Sequence, residues 1–168
     1  MVHLLRAVLL CTLVVLLAGC AQPPQRKQAA GGAESHDHYW RGRLALRLET
    51  PEPTSFYAGF ELMGHAQAGE LVLTSPLGST VAKLRWTPRV AQLQSNGRTR
   101  TFDSLDALAT EATGTAIPIT ALFEWLEGRP ASADGWQADL SQLDDSRLVA
   151  RRVLPAPAAE LRLILEQP

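Results

Sequence analysis

Few side chains in this sequence are placed to make or break bonds. The histidines are His3, His36, His38 and His65. His65 lies between Gly64 and Ala66 in a turn-like stretch, and no Gly-x-Ser-x-Gly elbow supplies a serine for it to activate. Ser75 and Ser79 flank Pro76-Leu77-Gly78 and read as turn residues rather than nucleophiles. His36-Asp37-His38 alternates two imidazoles without a further ligand, so no metal is expected. Asp144-Asp145 reads as a solvated turn rather than an acid/base pair or a calcium loop. A Gly-rich phosphate loop is absent, so no nucleotide cofactor is expected. These patterns point away from an enzyme and towards binding.

The one residue with a clear covalent chemistry is a thiol. Cys11 and Cys20 are the only cysteines, and both are N-terminal, which excludes a disulfide scaffold. Cys20 closes the tetrapeptide Leu17-Ala18-Gly19-Cys20. Small residues before the cut suit a signal-peptidase groove, and the thiol can be alkylated by a diacylglyceryl group. Upstream, Arg6 precedes a run of 12 residues from Ala7 to Ala18 that is apolar apart from Thr12. That run is short of the roughly 20 residues needed to span a bilayer but fits a secretory signal. The tetrapeptide resembles the bacterial lipobox. The resemblance implies cleavage before Cys20, with acyl chains on both its thiol and its new amino group; two or more chains anchor a protein stably where one does not. This covalent N-acyl diacylglycerol is the only prosthetic chemistry expected. Ala21, rather than Asp, follows the cysteine. By the same resemblance that favours the periplasmic face of the outer membrane.

Charge adds little pull of its own. The 168 residues carry 16 basic and 17 acidic side chains, a formal net charge of -1, so nucleic acid is not an expected partner. A hydrophobic content of 46% is too high for a disordered chain. The length suits one domain. Ala21 to His38 lacks periodicity and large apolar side chains, and reads as a tether. The expected organisation is a signal peptide over 1–19, a lipidated cysteine and tether over 20–38, and one domain over 39–168.

Within that domain the period is two. Leu44, Leu46 and Leu48 share one face of a strand over Arg43–Glu49. Phe56, Ala58, Phe60 and Leu62 do the same over Ser55–Met63. Further strands are expected over Gly69–Thr74, Ser79–Trp86, Arg89–Gln94 and Arg98–Phe102, with Asn96-Gly97 as a hairpin turn. The period then switches. Asp103 or Ser104 can cap a helix over Leu105–Thr113, which Gly114 can end. Pro118 suits the start of a second helix carrying Leu122, Phe123, Trp125 and Leu126, with Gly128 as its stop. Strands return around Trp136–Leu140, Arg147–Val153 and Glu160–Glu166. The expected fold is mainly β with α: a curved antiparallel sheet, an incomplete β-barrel, covered by two short helices.

Such a barrel can enclose an apolar cavity, although alternation alone favours an ordinary dry core. Three segments bear on the choice. They are Trp40-Arg-Gly-Arg-Leu-Ala-Leu46, Leu71-Val-Leu-Thr-Ser-Pro-Leu-Gly-Ser-Thr80, and Gly114-Thr-Ala-Ile-Pro-Ile-Thr-Ala-Leu-Phe-Glu-Trp-Leu-Glu-Gly-Arg-Pro130. In motif, order and spacing they resemble the LolB family of outer-membrane lipoprotein receptors, over about Trp40 to Trp136. The C-terminal part departs from that pattern: Trp136 is followed quickly by Leu143-Asp-Asp-Ser-Arg147, where the family usually has a longer stretch of strands.

The resemblance implies a receptor that takes lipoproteins from a periplasmic LolA-like carrier, shelters their acyl chains in a cavity, and inserts them into the outer membrane. The partners implied are lipoprotein cargo, that carrier and membrane lipid, and a monomer suffices. Leu44, Leu46, Phe56, Phe60, Leu73 and Leu84 are the cavity candidates by alternation, with Trp125 from the helical cover. Leu77 of the Pro-Leu-Gly turn is the candidate for membrane insertion. The competing expectations are an assembly lipoprotein that binds another envelope protein without a lipid cavity, and a carrier of a different amphiphile.

Overall fold

Nine strands form one antiparallel sheet, and all but the polar strand Arg98–Phe102 place an apolar row on the same side. The computed structural model describes residues 38–166. Cys20, the signal peptide and the tether up to residue 37, with His36 and Asp37, lie outside the described residues. The strands are β1 (His38–Glu49), β2 (Thr54–His65), β3 (Ala68–Thr74), β4 (Thr80–Thr87), β5 (Val90–Ser95), β6 (Arg98–Phe102), β7 (Trp136–Asp139), β8 (Arg147–Arg152) and β9 (Ala158–Leu165). The helices are α1 (Leu105–Thr113) and α2 (Ile119–Leu126), both between β6 and β7.

The strand order is β6-β5-β4-β3-β2-β1-β9-β8-β7. Strands β1 to β6 are a meander, as the short turns between them require. The last strand then pairs with the first, Leu44 opposite Leu163 and Leu46 opposite Leu161. This splices the C-terminal β7–β9 hairpins onto the meander. The sheet is open, with β6 and β7 as its edges. On β6, Arg98 and Arg100 place charge on the free edge, which discourages pairing with another chain.

Alternation sorts the two faces. Leu44, Leu46 and Leu48 of β1 and Ala58, Phe60 and Leu62 of β2 are buried, with Arg43, Arg47 and Glu61 exposed between them. The outer face carries ion pairs between neighbouring strands. Glu70 meets Lys83 and Arg85 at 3.3 and 2.5 Å, and Glu160 meets Arg151 at 2.7 Å.

Both helices pack on the inner face. The Ser104 hydroxyl accepts from the Ala107 amide at 3.1 Å to cap α1, and Gly114 ends it in the left-handed region. Six of the eight residues of α2 are buried, so this helix lies inside the fold rather than on it. Phe123 of α2 makes edge contacts with Trp40 of β1 and Trp86 of β4, with ring centroids 5.6 and 6.1 Å apart.

The first strand starts earlier than alternation among large apolar residues suggested. His38, expected in the tether, pairs with Gly64 in β1. Its ring stacks on Trp40 at 5.0 Å, and its Nε2 lies 3.3 Å from Glu127 beyond α2. It is therefore a packed residue of the domain.

Candidate functional site

The inner face and the helical cover do not close completely on each other. They leave an apolar cavity of about 30 Å³. Leu44, Phe60, Leu71, Leu73, Leu84, Leu161 and Leu163 line it from the sheet. Ala109, Thr113, Ile117, Ile119 and Leu122 line it from the helical segment. Thr113 is the one polar residue, and its hydroxyl is occupied at 2.8 Å by the Ala109 and Thr115 carbonyls. The cavity therefore has nothing to offer a polar ligand.

The sequence-derived candidates divide by position. Leu44, Phe60, Leu73 and Leu84 line the cavity. Leu46 is buried beside it in the same core, and Phe56 is half-buried against that core. Trp125 is fully buried, but its indole N–H donates to the Ala131 carbonyl at 2.8 Å. It fastens the chain that follows α2 rather than lining the cavity. Leu161 and Leu163 were legible by alternation but lay beyond the family resemblance. Ile119 and Leu122 carried the signal of an unusually apolar second helix, and Ile117 lies in the connection just before it.

Two hydrogen bonds tie the middle of the cover to the far side of the sheet. The Trp136 indole donates to the Ala116 carbonyl at 2.9 Å. The Arg152 guanidinium donates to the Thr115 hydroxyl at 2.6 Å and to the Pro157 carbonyl at 3.0 Å. Arg152 is only 5% exposed, with its Cζ 5.3 Å from the Trp136 ring centre. Adjacent Arg151 and Arg152 on one strand were the available clue, since alternation forces one of them inward. Among the described residues no carboxylate pairs with Arg152, and its Nε has no partner.

Leu77 is the opposite case. It is 95% exposed, at the tip of the β3–β4 turn. The Gly78 amide donates to the Ser75 carbonyl at 2.8 Å, and the Ser75 amide donates to the Ser79 carbonyl at 2.8 Å. Gly78 sits at φ +84, a conformation that glycine alone adopts freely. Pro76 fixes the preceding φ. The turn is thus hydrogen-bonded at its base and conformationally restricted at its tip. It holds a large apolar side chain in water, away from the core.

Comparison with known proteins gives one family throughout. The family described as "Outer membrane lipoprotein LolB" matches residues 37–153. The outer-membrane lipoprotein LolB of Bordetella petrii is 34% identical, over 93% of this chain and 89% of that protein. The protein of the same name from Bordetella parapertussis is 31% identical, over 99% and 95% of the two chains. That of Dechloromonas aromatica is 32% identical, over 84% of each.

Proposed function

The chain belongs to the LolB family of outer-membrane lipoproteins, and we propose that it accepts lipoproteins from a periplasmic carrier and inserts them into the outer membrane. Acyl chains cannot cross water unaided, because each exposed methylene costs about 0.8 kcal/mol. A receptor must therefore present apolar surface to the carrier and pass the chains on, and a small affinity difference at each step suffices. The cargo is a lipoprotein, the donor a LolA-like carrier, and the anchor the acylated Cys20. No catalytic group and no further cofactor enters the scheme, and a monomer performs it.

The observation that best supports this reading is the apolar cavity under a helical cover. At about 30 Å³ it has room for a few waters at most, far short of an acyl chain. Uptake of an acyl chain therefore requires α1 and α2 to withdraw from the inner face. The cover is suited to that: it rests on side-chain packing, the Trp136 and Arg152 hydrogen bonds and the Arg100–Glu111 and His38–Glu127 contacts, with no strand pairing to break. The smallness of the cavity equally favours a second reading, an assembly lipoprotein with a dry core. Binding of a fluorescent acyl probe separates the two.

Leu77 acts at the last step, as the side chain that enters the bilayer. The test is Leu77→Glu with two readouts. Acceptance of labelled lipoprotein from the carrier is expected to be unchanged, and delivery into liposomes lost. Normal delivery by that variant removes Leu77 from the mechanism.

A further inference from the structure

We propose that the β8–β9 loop, residues 153–157, is a second membrane-contacting tip that meets the same bilayer surface as the Leu77 turn; this rests on the membrane role of Leu77 proposed above. The two loops leave the sheet at the same end. Strand β3 ends at Thr74, opposite Gly59 in the first half of β2. Strand β8 ends at Arg152, opposite Ala159 of β9, which in turn pairs with Leu48 near the end of β1. Alternating strand direction puts the β1–β2, β3–β4, β5–β6 and β8–β9 connections at this end. His38 and the β2–β3 and β4–β5 turns lie at the other.

Exposure selects this end independently. Among the described residues the three most exposed large apolar side chains are Leu77 at 95%, Val153 at 74% and Leu154 at 71%. All three lie here. Single exposed hydrophobics are ordinary on a protein surface; two adjacent ones on one loop are a patch.

The loop is built to show them. A Cβ on Gly135 would stand 1.7 Å from the Leu154 carbonyl oxygen, so the loop backbone lies directly on the start of β7. Gly135 itself is at φ +79. At the other end of the loop the Pro157 carbonyl accepts from Arg152 at 3.0 Å. With its backbone seated at both ends, the loop turns Val153 and Leu154 into solvent.

A bilayer is the occupant that fits. Beside the loop, Arg47, Arg151 and Arg162 face Glu49 and Glu160 around a hollow of about 280 Å³. Arg152 lines the hollow as well, and with Glu52 in the β1–β2 turn four basic and three acidic groups nearly balance. The contact is thus chiefly apolar, made by Val153 and Leu154. The anchor permits the orientation. Eighteen positions separate His38 from Cys20. That many residues extend to about 60 Å, whereas a strand of the length of β1 covers about 40 Å. A chain anchored beyond one end of β1 can therefore lay the other end on the membrane.

The experiment uses the full mature, acylated protein in phosphatidylethanolamine/phosphatidylglycerol vesicles. Cys20 is its only cysteine and is blocked by lipid, so one introduced cysteine carries an environment-sensitive fluorophore. Leu154→Cys and Leu77→Cys are expected to be quenched by doxyl-labelled lipid, and Arg89→Cys in the β4–β5 turn is not. Quenching at 77 without quenching at 154 overturns the second tip and leaves the Leu77 reading intact. Quenching at neither overturns both, and quenching at 89 as well overturns the end-on contact. In addition, the Val153→Ser, Leu154→Ser double variant should slow cargo insertion about tenfold, the order expected for losing two partly buried apolar side chains. Its acceptance of cargo should be unchanged. An unaltered insertion rate overturns the proposal.

Discussion

Arg152 of β8 and Thr115 of the α1–α2 connection meet inside the fold, the guanidinium donating to the hydroxyl at 2.6 Å. A buried guanidinium without a carboxylate is costly, and its worth lies in the partners it retains. Here those are Thr115, the Pro157 carbonyl and the face of Trp136. Thr115→Val removes one acceptor and keeps the shape. It should destabilise the fold by about 1–3 kcal/mol, read as a lower urea midpoint at unchanged slope. Arg152→Met should cost less than Thr115→Val, because it removes the charge together with its need for partners. The reverse order would show that the charge itself holds the cover.

Leu122 closes the cavity from α2 and is buried. Leu122→Ala should lower stability by about 2–5 kcal/mol, as for other large-to-small core changes. It should also tighten binding of a fluorescent acyl probe. The closed cover reduces the fraction of molecules ready to bind, and weaker packing raises that fraction. Probe titration of the two proteins at equal folded concentration checks this. Weaker binding by the variant would mean that Leu122 serves the bound acyl chain rather than the closed state.

The Glu160 carboxyl is held below its usual range, chiefly by the Arg162 hydrogen bond, with burial opposing and Arg151 adding. A depressed folded-state pKa stabilises the fold above the unfolded value near 4.3. That contribution is lost as pH falls through the folded value. Both arginines are well exposed, so it should be under about 1 kcal/mol. The stability difference between wild type and Glu160→Gln should stay level from pH 7 to about pH 5 and shrink below about pH 4. Urea midpoints across that range are the measurement, and a difference that grows on acidification would contradict the assignment.

Much of the sheet was legible because alternation is a local property. Leu44, Leu46 and Leu48 declare their face within seven residues, and Ser104 and Gly114 declare the ends of α1 as locally. The pairing of β1 with β9 was not legible. It joins residues more than a hundred positions apart, and nothing within either strand names its partner. His38 belongs to β1 through a ring stack on Trp40 and the approach of its Nε2 to Glu127, contacts that only the folded chain makes. At the site, alternation found the face of each strand but not its depth. Hence Leu44 and Leu73 line the cavity while Leu46 lies beside it, although the same pattern nominated all three. Leu77 was nominated by the family resemblance: Pro76 and Gly78 specify the turn, but the local sequence does not say whether its leucine points outward or folds back onto the sheet.

The central claim is that this chain takes acyl chains from a carrier and gives them to a membrane. The most direct measurement loads a LolA-like carrier with a fluorescent lipoprotein and mixes it with this protein lacking its lipid anchor. Liposomes are then added. The account predicts that the label moves first to this protein and then into the liposomes, without ATP. Label that stays on the carrier, together with failure of a free acyl probe to bind, would contradict it and leave a dry-cored envelope lipoprotein in its place.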